Sequence, residues 1–479
     1  MPALGALILL LFKNNSKRIS SGCLVGFSVL TFLLIAFLYP LIISNDSLFL
    51  SFPSLLLVGI SFKVDILSYL MGIVVSFIWI FISLYSLEYM KKDHAQLRFY
   101  VILLLNLAGT IGFFFAGDIV TMFLFFEVLT VFAYILVVHE ENKTALRAGN
   151  RYIFLSLTGG LGVLFSILAT YLSGTSLFFV PGGVINEATP LISIAFFIFL
   201  LSFGVKAGIF PFHIWLPIAH PSAPSPASAL LSGIMIKTGA YGMIRVMYNL
   251  YSIELIKSMG WNKVMMVIAG ITIFLGSAAA INENDIKRRL AYSSISQMGY
   301  IFLGMGLFNE AGLTGDIFHI VAHALMKSCL FLAAGAIIYK TGKRNIDELA
   351  GIGKEMPITM LAFTTAALAM IGIPPLVGFI TKWELSLGIL QAGYPYYIAL
   401  LLLSSLMNAI YYFPIIVNAF FRDKEEKTAD KSRIFAYNEV SWKMLIPMIV
   451  LALGTFIFDI IPYNIPFDIA QRAAVLLLQ

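Results

Sequence analysis

The chain has 479 residues and a formal net charge of +6, and 60% of its residues are hydrophobic but only 12% charged. Soluble domains carry about 25% charged residues, so this composition excludes an ordinary soluble protein and indicates a membrane protein. The basic residues follow a loop pattern, which explains the positive charge better than nucleic-acid binding does.

Apolar stretches of about 20 residues, long enough to cross a bilayer as helices, recur along the whole chain. We expect thirteen of them near 22–43, 65–88, 97–116, 119–138, 151–173, 191–210, 227–249, 263–282, 291–308, 316–340, 357–380, 395–421 and 442–461. A shorter segment at 1–12 lacks a signal peptide's basic region and cleavage site, so it counts as a span, with an interfacial or disordered N-terminus as the alternative. The alternation of a barrel is missing. The sequence therefore predicts an all-α membrane protein with about fourteen transmembrane helices.

Basic residues are concentrated in the loops that follow odd-numbered helices. These loops hold 21 Lys and Arg residues, whereas the loops after even-numbered helices hold only Lys63, Lys257 and Lys263. Since basic loops stay in the cytoplasm, we expect both termini on the outside of the plasma membrane. The basic loops also suit contact with anionic lipid or an acidic partner subunit.

Prolines break two of the predicted helices. Pro211 interrupts the seventh span and Pro374–Pro375 the twelfth, which frees the carbonyls of Ala207, Met370 and Ile371. The breaks lie five helices apart, so helices 4–8 and 9–13 are interpreted as two inverted five-helix repeats. The predicted divisions are residues 1–96 for helices 1–3, 97–249 and 250–421 for the two repeats, and 422–479 for a cytoplasmic loop and helix 14.

Four lysines, Lys206, Lys237, Lys327 and Lys382, lie within apolar spans. Ionisable groups at membrane depth are costly, and they mark ion pathways by default. Glu127, in the middle of helix 5, is the expected partner of Lys206, with a static structural ion pair as the alternative. Lys237 has no carboxylate in its own helix, and its alternatives are a bond to a nearby carbonyl or snorkelling.

His319, His323 and Lys327 follow one another at intervals of four residues in helix 11, so they form one stripe about 12 Å long. Two imidazoles and an amine along an apolar helix are typical of a proton path. Satisfied core histidines are the alternative. A zinc site is disfavoured because no third ligand is assigned beside the His-x-x-x-His pair.

Three further residues are possible supporting groups. Glu384 follows Lys382 by two residues, so the two do not share a helix face, and Lys382 is preferred as the ion-path residue. His213 and His220 flank the first break and line an entrance, or are ordinary helix-end residues. The two cysteines, Cys23 and Cys329, form no CxxC pair, and there is no phosphate-binding glycine loop. We therefore expect no metal and no cofactor in this chain.

These residues and their flanking motifs resemble the antiporter-like subunits of respiratory complex I, Mrp-type sodium/proton antiporters and energy-converting membrane-bound hydrogenases. The resemblance covers about residues 100–420. Its most specific parts are Phe-His-Ile-Trp-Leu-Pro from Phe212, the run 223–239, Asp-Ile-Lys-Arg-Arg-Leu-Ala-Tyr-Ser-Ser-Ile-Ser-Gln from Asp285, the 319–327 stripe and Gly-Ile-Pro-Pro-Leu from Gly372. The stretch from His220 resembles the hydrogenase branch, which includes formate hydrogenlyase and sulfur-reducing complexes. We expect no lateral extension of the kind found in complex I's largest such subunit.

The resemblance implies a fourteen-helix fold with two inverted half-channels. Glu127 and Lys206 would form the charged pair of the first half-channel, Lys237 the bridge, the helix 11 stripe the central axis, and Lys382 the last residue of the second half-channel. Some relatives carry Glu at the position of Lys382.

The expected function is translocation of H⁺ or Na⁺, or both, within a redox-driven complex. Its partners would be other membrane subunits, including related antiporter-like ones, and a hydrophilic redox arm on the cytoplasmic side. Iron–sulfur clusters and nickel–iron or other redox centres would lie in those partners. The first alternative is an Mrp-type antiporter subunit without a redox partner. The second, an organic-solute transporter, is disfavoured because the spans offer single titratable residues rather than a solute pocket.

Overall fold

A computed structural model of the chain describes residues 1–11, 17–54, 59–422, 438–460 and 465–479. Five basic residues of the predicted cytoplasmic loops lie outside these ranges: Lys13, Lys424, Lys427, Lys431 and Arg433. Within the described residues, ten helices are long and apolar enough to cross a membrane. This confirms that the chain is a mostly helical, multi-pass membrane protein.

The first third contains α1 (Pro2–Leu11), α2 (Lys17–Ala36), α3 (Tyr39–Asn45), β1 (Ser47–Phe52), β2 (Ile60–Asp65), α4 (Ile66–Tyr89), α5 (Gln96–Phe114), α6 (Ile119–Val137) and α7 (Lys143–Leu172). The middle contains α8 (Pro190–Ala207), α9 (Leu216–Ser222), α10 (Ser225–Leu230), α11 (Ile236–Arg245), α12 (Ile253–Met259), α13 (Trp261–Asn282) and α14 (Ile286–Met305). The last part contains α15 (Glu310–Thr341), α16 (Ile352–Glu355), α17 (Pro357–Ile371), α18 (Val377–Gln391), α19 (Tyr396–Phe421), α20 (Trp442–Ile460) and α21 (Ile465–Leu478).

Two elements were absent from the all-α prediction. Strands β1 and β2 form an antiparallel hairpin in which Ser47 pairs with Asp65 and Phe52 with Ile60. Short apolar runs of this length cannot be assigned by periodicity alone. Helix α21 follows the predicted last span and packs on α15, with the Phe318 and Phe467 rings 5.4 Å apart. Helix α21 was not predicted because only one of its faces is buried and its polar residues make it less apolar than the predicted spans.

The seventh and twelfth helices are broken, as predicted, but the break begins at a glycine rather than at a proline. Gly208 ends α8 with φ +72° and Gly372 ends α17 with φ +92°, a conformation that glycine adopts without steric cost. The residue after each glycine makes the same backbone hydrogen bond: Ile209 N–H donates to Gly204 O, and Ile373 N–H donates to Leu368 O. This is the Schellman pattern of a helix end, so each helix is already capped before the proline.

The twelfth helix is also longer than predicted, because α18 carries it to Gln391 rather than to residue 380. The eighth helix, Ser225–Leu250, is continuous but contains two π-helical turns, Leu231–Met235 and Val246–Leu250. Helix α15 runs for 32 residues through the interior, and its spanning segment is entirely buried. Residues of α10, α14, α17, α18, α20 and α21 pack around it, so α15 is the axis of the molecule.

Loops meet at two ends of the bundle. At one end, which we call the hairpin face, backbone bonds join Lys63 N to Phe115 O and Phe179 N to Gly117 O. Gln471 of α21 donates to Glu310 at the same end. At the opposite face, Arg344 pairs with Asp285 and Arg98 with Glu141. The hairpin therefore lies beside the end of α5, and the loop that holds Asp285 lies beside the loop that holds Arg344.

Candidate functional site

Lys206 lies on the last turn of α8 and is 1% exposed. Its Nζ donates to Thr130 Oγ1 of α6 at 2.9 Å and to Tyr152 OH of α7 at 2.8 Å. The same Nζ lies 5.1 Å from the centres of the Phe126 and Tyr152 rings. The amine is therefore held by neutral hydroxyl and aromatic groups from two neighbouring helices.

Glu127, the predicted partner, does not contact Lys206. No ion pair within 4.0 Å in the described part of the chain involves it, and its Oε1 is buried without a hydrogen-bond partner there. The carboxylate is half-buried against α7, where a Cβ on Gly160 would overlap it. Thr130, one turn along α6, bonds Lys206 instead. Glu127 and Thr130 are one turn apart on α6, and Lys206 bonds Thr130 while Glu127 stays within its electrostatic reach.

Lys237 bonds a backbone carbonyl, which was the alternative stated for it. Its Nζ donates to Ser232 O at 2.5 Å. That carbonyl belongs to the π turn Leu231–Met235, where the regular i to i−4 bonds are interrupted. The side chain is 2% exposed and lies at the centre of a completely buried span. The π turn thus supplies the acceptor that an unbroken helix would have withheld.

Hydrogen-bonded hydroxyls and carbonyls lie between Lys237 and Lys327. The Ser232 hydroxyl lies 2.6 Å from Ser294 Oγ, and Ser294 donates to Leu290 O at 2.9 Å. Lys327 Nζ donates to that same carbonyl at 2.9 Å. We call this series, Lys237–Ser232–Ser294–Leu290–Lys327, the hydroxyl chain. It lies between two buried amines and contains no carboxylate, and it is interrupted at Ser232, whose carbonyl bonds Lys237 while its hydroxyl bonds Ser294, and at the Leu290 carbonyl, which only accepts.

Lys327 has two further partners, the hydroxyls of Ser293 and Tyr412, the latter at 3.4 Å. The Tyr412 ring lies 4.6 Å from that of Tyr411, whose hydroxyl donates to Asn408 Oδ1 at 2.7 Å. Polar groups therefore continue from Lys327 toward α17 and α18.

Lys382 lies at the second helix break, where the polar groups that extend from Lys327 end. Its Nζ donates to Met370 O at 3.1 Å, to Ile371 O at 2.7 Å and to Ser405 Oγ at 2.9 Å. These are two of the carbonyls that the proline pattern predicted to be free. Asn408 Nδ2 also donates to Met370 O, at 3.2 Å. Among the described residues, no equivalent bond reaches Lys206 at the first break, because that lysine precedes its break whereas Lys382 follows its own.

His319 and His323 stack along α15, with ring centres 5.8 Å apart and planes 8° from parallel. His319 Nδ1 lies 3.0 Å from Thr381 Oγ1 on α18, the residue before Lys382. Tyr300 sits between the two groups, its ring 5.8 Å from His319 and 5.4 Å from Lys382 Nζ. Both nitrogens of His323 and Nε2 of His319 are buried without a partner in the described part of the protein. Thr381 thus satisfies one nitrogen of His319, whereas His323 has no partner among the described residues.

The three possible supporting residues lie in different parts of the structure. His220 is completely buried, has no partner on either ring nitrogen among the described residues, and stacks on Phe331 at 4.7 Å, one turn beyond Lys327. It therefore belongs to the interior rather than to an entrance. His213 remains half-buried beside Phe210. Glu384 lines a cavity of about 540 Å³ between α15, α18 and α21, on a different side of α18 from the amine of Lys382.

Sequence reasoning missed the neutral partners. Ser293 and Ser294 lie in the Tyr-Ser-Ser-Ile-Ser-Gln run of α14, where three hydroxyls in an apolar helix were a detectable signal. Tyr152 gave no signal, because it comes from a helix 54 positions away. Asp316, three residues before His319, is a further potential metal ligand that the sequence interpretation did not include. No group of three His, Cys, Asp or Glu suited to a metal occurs among the described residues.

Residues 116–408 match the family described as NADH:quinone oxidoreductase/Mrp antiporter, TM, and residues 50–100 match the N-terminus of complex I chain 5. The chain is 32% identical over 439 residues to NADH-quinone oxidoreductase subunit N of Desulforudis audaxviator, covering 87% of this chain and 85% of that one. It is 34% identical to hydrogenase-4 component B of Escherichia coli, covering 68% of this chain and 50% of that one. It is 29% identical to a Na(+)/H(+) antiporter subunit of Alkalihalophilus pseudofirmus, covering 83% and 80%.

Solved structures share the fold over the whole chain. A subunit of the Mrp complex from Dietzia superposes with a TM-score of 0.89 at 21% identity, covering 100% of this chain and 96% of that one. A subunit of an archaeal membrane-bound sulfane sulfur reductase gives 0.87 at 24%, with the same coverage. A subunit of Thermus thermophilus complex I gives 0.83 at 23%, covering both chains fully. The chain belongs to the family of antiporter-like membrane subunits shared by complex I, hydrogenases and Mrp antiporters.

Proposed function

We propose that this chain translocates H⁺ or Na⁺, or both, as a subunit of a redox-driven membrane complex of the hydrogenase or complex I type. The observation that carries the proposal is the hydroxyl chain between the two buried amines Lys237 and Lys327. Its Ser232 and Ser294 hydroxyls both donate and accept hydrogen bonds, whereas the carbonyls of Ser232 and Leu290 only accept, so water must carry the proton past those two carbonyls. Hydroxyls of this kind pass a proton by reorienting. Charge added at one amine acts strongly on the other, because little water screens it.

The proposed path runs through Lys206, Lys237, His319, His323, Lys327 and Lys382. Glu127 acts on Lys206 by charge rather than by contact. His220 joins the path beside Lys327, while His213 and Glu384 lie at its margins. The buried ring nitrogens of His319, His323 and His220 require water as their partner, since polar groups in an interior are bonded.

The proposed architecture is fourteen spans in two inverted repeats, 97–249 and 250–421, between helices 1–3 (1–96) and the end of the chain (422–479). The shared Gly-Ile-x-Pro pattern and equal capping of both breaks support the repeat. Both termini lie outside and the basic loops lie in the cytoplasm. The position of Gln479 beside Gly182, in the loop after the sixth span, supports this orientation.

The proposed partners are other membrane subunits, including related antiporter-like ones, and a hydrophilic redox arm on the cytoplasmic side. Iron–sulfur clusters and nickel–iron or other redox centres belong to those partners. The likeness to hydrogenase-4 component B and to the quinone oxidoreductase subunit of Desulforudis audaxviator supports this assignment.

A subunit of an Mrp-type antiporter is the second candidate. It is favoured by the 80% coverage of the Alkalihalophilus antiporter subunit and by the TM-score of 0.89 with the Mrp complex. Purification of the native complex in mild detergent separates the two. Co-purification of iron–sulfur and hydrogenase-like or quinone-reducing subunits is the expected result. A complex of small antiporter subunits only would replace the redox assignment with the Mrp one.

A further inference from the structure

Asp316 lies in α15 one turn before His319 and is 1% exposed. Residues three apart on a helix share a face, so Asp316 extends the stripe of His319, His323 and Lys327 by one turn toward the hairpin face. Helix α15 begins at Glu310, about 9 Å along the axis from Asp316. Asp316 is thus the last titratable group between the stripe and that end of the helix.

Neither carboxylate oxygen of Asp316 has a hydrogen-bond partner among the described residues. No ion pair in the described part of the chain includes it. Tyr248, within electrostatic reach of Asp316, donates its hydroxyl to Met305 O instead. On α18, the Cβ of Glu384 packs against Gly315, and this side chain is acidic rather than cationic. The neighbouring titratable groups are therefore Tyr248, Glu384 and His319, none of them a fixed cation.

The space for Asp316 comes from a glycine on α14. A Cβ built on Gly304 would lie 2.8 Å from Asp316 Cβ and 3.2 Å from Leu385 Cδ1. A carboxylate enclosed in this way, with no donor and no cation among the described residues, needs a bound proton or a bound cation. Its close position to a histidine that has a free ring nitrogen favours the proton.

We propose that Asp316 is a further proton-carrying residue of α15, which passes protons between His319 and the hairpin face. This inference rests on the proposed function. In the transfer, the carboxyl O–H bond of Asp316 breaks and an N–H bond forms at His319 Nε2, across a bridging water. A carboxylate and an imidazolium result one turn apart, and reprotonation from the hairpin face restores the carboxyl.

The test replaces Asp316 in the complete complex. Asp316→Asn keeps the shape of a protonated carboxyl but cannot release a proton, so ion uptake into vesicles should fall about 100-fold or more while the complex still assembles. Asp316→Glu should restore a large part of the uptake. Glu310→Gln is the matched control on the same helix, since its partner Gln471 lies at the surface, and it should leave uptake unchanged.

Lys327→Met, measured in parallel, separates this inference from the proposed function. Normal uptake in Asp316→Asn together with lost uptake in Lys327→Met overturns the role of Asp316 only, whereas normal uptake in both overturns the proposed function. If Asp316→Asn does not assemble, infrared spectra of the wild-type complex with ¹³C-labelled aspartate decide. A protonated carboxyl band at neutral pH is expected. A band that is absent, or present only when Na⁺ is removed, would replace the proton with a sodium ion or refute the site.

Discussion

At the scale of single residues, the buried lysines are held by neutral groups rather than by carboxylates. Removing a charge from water is costly unless it is paired, and such pairing would fix the charge in place. Hydroxyls and freed carbonyls stabilise both the charged and the neutral amine. Such surroundings suit the proposed function, in which the charge on each lysine changes during transport.

Ser294→Ala should interrupt the hydroxyl chain while leaving both amines in place. Loss of one hydrogen bond of about 1 kcal/mol, at a link with no parallel route among the described residues, should slow ion uptake roughly five- to tenfold. The matched control is Ser277→Ala. Ser277 is another buried hydroxyl, but its partners Ser296 and Ser404 are not part of the hydroxyl chain. Equal uptake in the two variants would show that protons do not use Ser294.

Gly160→Ala should displace the Glu127 carboxylate, because the new methyl group would occupy its place. We expect ion uptake to fall severalfold, to the level of Glu127→Gln, with little further loss when the two changes are combined. Gly26→Ala is the control, since no described atom lies within 4 Å of a Cβ there. Uptake is measured in vesicles beside the amount of assembled complex. Additive losses in the double variant would mean that Gly160 acts by packing alone.

At the scale of elements, irregular backbone occurs where the lysines need acceptors. The π turn presents Ser232 O to Lys237, and the break after Gly372 presents Met370 O and Ile371 O to Lys382. Proline positions predicted the break carbonyls correctly at the second site. No residue type predicts a π turn, since its cause is packing against neighbouring helices.

Asp65 and Arg245 tie the hairpin to the eighth helix. Both carboxylate oxygens accept bonds of 2.7 Å from the guanidinium, and Arg245 is 1% exposed. Burial raises the pKa of Asp65, but the Arg245 guanidinium outweighs this and lowers it to about 2. Asp65 thus favours folding at all pH values above its ordinary range near 4, and this contribution is lost as the pH falls toward 2.

Asp65→Asn should therefore destabilise the protein by about 3–5 kcal/mol at neutral pH, because Arg245 would remain buried without a counter-ion. It should also remove the pH dependence between 4 and 2. The measurement is thermal unfolding of the purified complex. Exposed Asp46 provides the control, and Asp46→Asn should change stability by less than about 0.5 kcal/mol. An equal effect of both substitutions would contradict a tethering role.

Much of the site could be predicted from the sequence, but its connections could not. Lysines within apolar spans stand out because each residue alone carries a high cost in lipid. The sequence indicated Glu127 as the charge partner of Lys206, but it did not indicate the Thr130 hydroxyl that Lys206 contacts, because charge complementarity says nothing of neutral groups. His220 was placed at an entrance because it lies near a break in sequence, yet α9 carries it back to α15. A contact between helices that are far apart in sequence cannot be predicted from the local sequence pattern.

At the scale of the whole molecule, the described loops at each end of the bundle contact one another, and the sequence predicts that the basic loops lie at one end. A protease site or reporter placed after Gln479 should therefore be extracytoplasmic, and one placed in the loop 283–285 cytoplasmic. Accessibility is compared in intact and permeabilised cells. A cytoplasmic signal at Gln479 would invert the proposed orientation.

The proposed function requires that Lys327 carries a proton rather than a fixed charge. Lys327→Met removes the titratable group, and Lys327→Arg keeps a positive charge that does not dissociate below a pH of about 12. The measurement is ion uptake into vesicles together with the redox rate of the same preparation. We predict that uptake is lost in both variants while electron transfer continues, at least partly uncoupled. Full uptake with arginine would contradict the account, because the site would then supply charge alone.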